Sequence, residues 1–192
     1  MDSETLPVIF SSFTLIGLAE IGDKSQLVCM TLAARHRHWP VLLGAMMAFV
    51  VLNTLAVVFG ASIAAWLPES LIVGLVALLF GFFGIHSLFF EQSEEEGDLI
   101  ERSGANIFTT TLVMIIVAEF GDKTQIAVAG MAGSMAPVPV WIGATGALVL
   151  VSGLGVWLGR TLLQRLPLRW LHRVGGGVFL VFAMIAVWHL FR

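Results

Sequence analysis

The sequence predicts an all-α integral membrane protein: six transmembrane helices arranged as two three-helix repeats of inverted topology. Three observations carry this prediction. Of 192 residues, 58% are hydrophobic and only 12% charged, with a mean hydropathy of +0.94; a soluble domain carries about twice that share of charge. Apolar stretches fall at about 6–34, 40–66, 70–90, 106–133, 138–163 and 172–191, matching the roughly 20 helical residues that cross a hydrocarbon core. One charged heptapeptide also occurs twice, 99 positions apart, as Glu20-Ile21-Gly22-Asp23-Lys24-Ser25-Gln26 and Glu119-Phe120-Gly121-Asp122-Lys123-Thr124-Gln125.

The first stretch follows Asp2 and Glu4 with no basic flank, so it reads as a span rather than a cleaved signal peptide. Arg35 and Arg37 follow it. The second stretch carries the small pair Ala56/Gly60, and the fifth carries Gly155/Gly159; such spacing lets helix backbones approach closely. Between the halves, Glu91-Gln92-Ser93-Glu94-Glu95-Glu96-Gly97-Asp98 continues to Glu101 and Arg102, which reads as a solvated acidic linker. Arg160, Arg165, Arg169 and Arg173 surround the connection after the fifth stretch, whereas the connections near 67–69 and 134–139 carry no Lys or Arg. The excess of Arg on one face places those connections in the cytoplasm and both termini outside it. Trp39, Trp66, Trp141, Trp170 and Trp188 lie near span ends, as interfacial anchors do. A single Cys29 excludes an intrachain disulfide framework.

The repeat extends beyond the motif. At the same offset Gly44 matches Gly143, Ala45 matches Ala144, Gly60 matches Gly159, Leu67-Pro68 matches Leu166-Pro167, Phe80 matches Phe179 and Phe83 matches Phe182. The organisation is therefore a first repeat over 1–90, a linker over 91–105 and a second repeat over 106–192. An odd number of spans per repeat reverses direction on duplication, which gives inverted halves around a midplane site, a plan common among secondary transporters.

Charged residues in an apolar span cost about 2.5–3.5 kcal/mol each near the bilayer centre, so they are paired, hydrated or used. On one continuous helix, Glu20, Asp23, Lys24 and Leu27 share a face, as do Glu119, Asp122, Lys123 and Ile126. Inverted halves bring both faces together: four carboxylates and two ammonium groups, of formal charge −2 when ionised. One divalent cation, or two protons, neutralises that cluster. Carboxylate, hydroxyl and amide oxygens suit Mg²⁺, Ca²⁺ or Mn²⁺. Ser25, Gln26, Thr124 and Gln125 supply neutral oxygens if the helices bend, and Gly22 and Gly121 make bending easier. Cys29 and Met30 read as packing, with a soft metal ligand as the sharper alternative. The Arg35-His36-Arg37-His38 tract reads as positive-inside charge, and His86 and His189 as interfacial groups. Asp122-Lys123-Thr124 lacks the glycine of a P-type phosphorylation motif, and no P-loop or zinc-protease signature is present. A purely structural ion-pair network, with each lysine a tethered cation in place of metal, is the rival reading.

At these motifs the chain resembles the uncharacterised-protein-family transporters of manganese and calcium, which include bacterial MneA-type exporters and Golgi and chloroplast relatives. The resemblance covers the whole chain and implies a secondary transporter that moves Mn²⁺, or Ca²⁺ in some members, out of the cytosol. It implies Glu20, Asp23, Glu119 and Asp122 as cation ligands, with Lys24, Ser25, Lys123 and Thr124 completing the motifs. The short chain is similar to bacterial members, for which a multi-pass inner-membrane protein with periplasmic termini is expected. Cation/proton antiport is the expected coupling. No enzyme activity, no nucleic-acid partner and no cofactor beyond the transported cation are expected; the bilayer is a partner, and a homo-oligomer is compatible with the sequence. A Ca²⁺/H⁺ antiporter is the nearest alternative. A membrane metalloenzyme and a structural subunit are rivals from other classes.

Overall fold

A computed structural model of the chain describes residues 5–89, 106–163 and 168–191. Among them are eight helices: α1 (Thr5–Glu20), α2 (Lys24–Arg35), α3 (His38–Ala64), α4 (Glu69–Phe89), α5 (Ile107–Glu119), α6 (Lys123–Ser134), α7 (Pro137–Leu163) and α8 (Leu168–Leu190). The 99-residue offset recurs in the elements themselves. It carries α2 onto α6 and α3 onto α7 end for end. Pro40 in the first turn of α3 and Pro139 in that of α7 sit where proline leaves no intrahelical bond unmade. The linker over 91–105, Arg165 and Leu166-Pro167 lie outside the described residues.

One expectation is corrected. The first and fourth apolar stretches are not continuous helices, because each breaks at its motif. Gly22 (φ 86°) and Gly121 (φ 78°) take the left-handed conformation that costs an L-residue roughly 1–2 kcal/mol, and this ends α1 and α5. Asp23 and Asp122 then restart the chain as N-caps of α2 and α6, a position aspartate favours. The helical wheel that placed Glu20 and Asp23 on one face therefore does not apply across the break. What unites them is a turn, closed by Asp23 N–H to Glu20 C=O and by Asp122 N–H to Glu119 C=O, both 3.1 Å.

Among the described residues, two helices are long and apolar enough to cross a membrane: α3 and the Pro137–Trp157 part of α7. At 1.5 Å per residue, the 27 residues of α3 span about 40 Å. Together α1 and α2, bent by 68° at their break, qualify as a third span. Large apolar side chains such as Leu43, Met47, Leu55 and Phe59 of α3 and Leu150 and Trp157 of α7 are exposed on the outside, as befits helices solvated by hydrocarbon.

α3 and α7 pack against each other and run antiparallel: Trp39 meets Trp157 edge to face at 6.4 Å, while Asn53 and Thr54 bond Thr145 and Trp141. α4 and α8 also pair, through Phe80 against Phe179 at 5.6 Å. Beside that contact, Phe80 meets Phe182 at 6.2 Å and Phe83 meets Phe179 at 6.0 Å. Those two contacts interconvert under the 99-residue offset. The aromatic matches of the sequence thus meet one another at the interface between halves. Cys29 is buried in the hydrophobic core, and Met30 is buried beside Gly155 of α7.

The matched glycines mark where helices touch. A side chain at Gly44 would stand 2.6 Å from the Phe108 carbonyl oxygen of α5, and one at Gly143 would meet Ser12 and the Ile9 carbonyl of α1. Ile9 and Phe108 are themselves 99 positions apart. Gly143→Val and Gly44→Val are therefore expected to destabilise the fold by about 1–3 kcal/mol each through overpacking. A lowered unfolding midpoint in detergent would show it, with Gly74→Val, where nothing lies within 4 Å, as the silent control.

Candidate metal centre

The two helix breaks face each other inside the packed helices. Glu20 is fully buried, and Asp23 and Glu119 are each 5% exposed. One carboxylate oxygen from each of Glu20, Asp23 and Asp122 lies within 4.8 Å of the others. Among the described residues no histidine or cysteine joins such a group. Glu20 Oε1 and Asp122 Oδ2 are buried without a hydrogen-bond donor, and Asp23 Oδ2 has only the Lys123 ammonium, which reaches it from the other half. Buried carboxylate oxygens left unpartnered are costly. Their convergence suits a cation with oxygen ligands.

The remaining motif residues hold the breaks in shape. Ser25 donates to Glu20 Oε2 at 3.1 Å, and Thr124 donates to Glu119 Oε2 at 3.4 Å. Glu119 is not a member of the three-carboxylate group. The Asp23 side chain accepts from Lys24 N–H at 2.7 Å, which directs one oxygen to its helix and leaves the other for the cluster. Aspartate at a helix N-terminus also lies in the favourable field of the helix dipole. Lys24 is exposed.

The two glutamines act in a way that spacing did not reveal. Gln26 Oε1 accepts from Gly22 N–H at 2.7 Å while its Nε2 donates to the Val151 carbonyl of α7 at 3.1 Å. Gln125 accepts from Gly121 N–H at 2.6 Å and donates to the Leu52 carbonyl of α3 at 3.4 Å. Their oxygens are thus turned to the glycine turns, not to the carboxylates. Each glutamine ties a break in one half to the long helix of the other. The buried polar residues beside those carbonyls, Asn53 and Ser152, were also missed. They occupy equivalent places under the 99-residue offset inside otherwise apolar spans, which is the signal that points to them.

Gly22→Ala and Gly121→Ala should each cost about 1–2 kcal/mol, because a Cβ disfavours positive φ. Nothing lies within 4 Å of a Cβ placed at Gly121, so its penalty is backbone strain alone. A thermal shift in detergent measures it, and Gly121→Asn, which tolerates this conformation, should recover part of the loss.

Residues 8–95 and 107–192 match the family described as divalent cation/proton antiporter GDT1. A Vibrio cholerae protein named "Putative manganese exporter" is 28% identical over 182 residues, covering 93% of this chain and 90% of that protein. GDT1-like protein 3 of Arabidopsis thaliana is 28% identical over 201 residues, covering 92% of this chain and 69% of that protein. The chloroplastic PAM71-homolog of the same plant is 28% identical over 214 residues, covering 94% and 59%. No solved structure matches the chain. With both halves matched and both motifs intact, the chain belongs to the GDT1 family of divalent cation/proton antiporters, which are transporters and not enzymes.

Proposed function

We propose that this chain exports Mn²⁺ from the cytosol in exchange for protons, by alternating access to a single site formed by Glu20, Asp23, Asp122 and Glu119. The observation that carries this reading is the convergence of three carboxylates from both halves, with buried oxygens that lack donors. Glu20, Asp23 and Asp122 carry a formal −3 when ionised, or −2 with Lys123 engaged, and a divalent cation or protons can compensate the same charge. Exchange of metal for protons therefore needs no second site. Glu119, buried and held by Thr124, joins as ligand or proton carrier when the halves move.

The architecture we propose is six spans, with α1–α2 and α5–α6 each one broken span. The halves, 1–90 and 106–192, are related by a two-fold axis in the membrane plane. The antiparallel α3 and α7, the interchanging Phe contacts and the equivalent glutamine ties support that relation. Broken helices that point their N-termini and caps at a midplane site are how transporters place irregular backbone in a membrane. The Arg distribution supports an inner-membrane orientation with both termini periplasmic and the acidic linker cytoplasmic.

Calcium is the second reading. Every convergent ligand atom is a carboxylate oxygen, and the sulfur atoms of Cys29 and Met30 are committed to packing, so the donor set also suits Ca²⁺. Total cell metal, measured by mass spectrometry in an exporter-deficient bacterium under manganese load, separates these outcomes. The chain should lower cell manganese and Glu20→Gln should not, at equal membrane expression. A fall in calcium alone would reassign the ion. No change in either metal would refute export.

A further inference from the structure

The two motifs are nearly superimposable in what they bond. Glycine N–H to glutamine, glutamine to the opposite long helix, and hydroxyl to glutamate all occur in both halves, at lengths that differ by 0.3 Å or less. Two differences break the equivalence. The Asp23 side chain accepts from Lys24 N–H, whereas the Asp122 side chain makes no such cap bond. The lysines also differ. Lys123 crosses to Asp23 in the other half, whereas Lys24 is exposed with no ion pair among the described residues, and Asp122 Oδ2 is left without a donor. Applying the 99-residue offset to Asp23–Lys123 gives Asp122–Lys24. The acceptor for that second pair is buried and unpartnered, and its donor is unengaged.

We propose that Lys123 and Lys24 take turns as the tethered counter-ion of the carboxylate cluster, each entering it in one of two access states and leaving when metal binds. The idea rests on the inverted-repeat transport reading above and deepens it. A buried acidic cluster emptied of its cation needs compensating charge. A lysine on the moving half supplies it without a free ion. Because the ammonium occupies Asp23, it competes with a divalent cation for that oxygen. When the halves rock, Asp23 and Asp122 exchange roles and so must their lysines. The structure holds the state in which Lys123 is engaged. The exposure of the second break, with Phe120 at 69% and Gly121 open, against the more enclosed Ile21 and Gly22, accords with a conformation in which the halves are not equivalent.

The signature is conditional. If either lysine can fill the cluster, removing one leaves the other to compete, and only removing both frees the site. Mn²⁺ binding to the purified full-length protein would be measured by equilibrium dialysis for wild type, Lys24→Gln, Lys123→Gln and the double variant. Lys24→Gln alone should leave Kd within about twofold of wild type. In the Lys123→Gln background the same change should tighten binding about tenfold, a coupling of ordinary allosteric size. A tightening of equal size in both backgrounds would mean a simple field effect and overturn the exchange. Silence of Lys24→Gln in both would mean that Lys123 is a fixed partner. Loss of binding by a monodisperse double variant would mean that the lysines build the site. Should Lys123→Gln not be recovered folded, Lys123→Met provides the same background. Wild-type protein that binds neither Mn²⁺ nor Ca²⁺ would refute the transport reading as well, whereas binding without the conditional effect refutes only the lysine exchange.

Discussion

Replacing Asp23 by asparagine is expected to lower proton-driven Mn²⁺ flux in proteoliposomes by about 100-fold, the upper end of what even partners behind a metal ligand contribute. Asp23 holds three relations at once. One oxygen caps α2 through Lys24 N–H at 2.7 Å, and the other belongs to the three-carboxylate group and faces Lys123. Asparagine keeps the cap, since it is as good an N-cap as aspartate, so the fold and its unfolding midpoint should change little. What it removes is the charge. The cluster then sums to −1 rather than −2, and Lys123 loses its carboxylate partner. A large fall in flux with a small change in stability therefore separates a binding role from a packing role. Asp23→Glu keeps the charge but displaces the oxygens and is a poor cap, and it should fall between the two. Equal flux in wild type and Asp23→Asn would exclude Asp23 as a ligand.

The second large effect is expected at Gln26. Gln26→Leu fits the volume but leaves two buried backbone groups, Gly22 N–H and the Val151 carbonyl, without their side-chain partner. Each orphaned group costs about 1–3 kcal/mol. The Gly22 turn would lose its brace and the break its tie to α7, so Glu20 and Asp23 would no longer be held in register. The expected result is a clear drop in the detergent unfolding midpoint together with a flux loss of about tenfold or more. Gln26→Glu retains the acceptor but places a carboxylate against the Val151 carbonyl, and should be no better. Gln125→Leu is expected to be milder, because its tie to the Leu52 carbonyl is longer, at 3.4 Å, and Gln125 is less buried than Gln26. Identical effects at the two positions would show that the halves are equivalent in the membrane.

Much of this was legible in the sequence because duplication makes position informative. The two motifs, the matched glycines at 44 and 143 and the phenylalanines at 80, 83, 179 and 182 all lie at contacts between halves. The helix break was half legible. Gly22 and Gly121 indicated weakness, but periodicity treats an apolar run as one helix until a residue forces it to stop. A positive-φ glycine followed by a capping aspartate does so without any proline. The role of the glutamines was not legible, since a side-chain amide next to carboxylates reads equally as a ligand or a brace. Only the positions of Val151 and Leu52, more than 70 residues away, decide between them. The asymmetry of the lysines was invisible for a different reason. A duplicated motif encodes both halves alike, and which lysine is engaged is a property of conformation.

The most direct measurement is anomalous X-ray diffraction at the manganese edge from crystals of the full chain grown with Mn²⁺. A cation site built from both helix breaks requires one anomalous peak in bonding contact with the carboxylates of Glu20, Asp23 and Asp122, with Lys123 withdrawn from Asp23. A peak elsewhere, or none in crystals of protein that binds Mn²⁺ in solution, would contradict it and leave the acidic cluster as an ion-pair network.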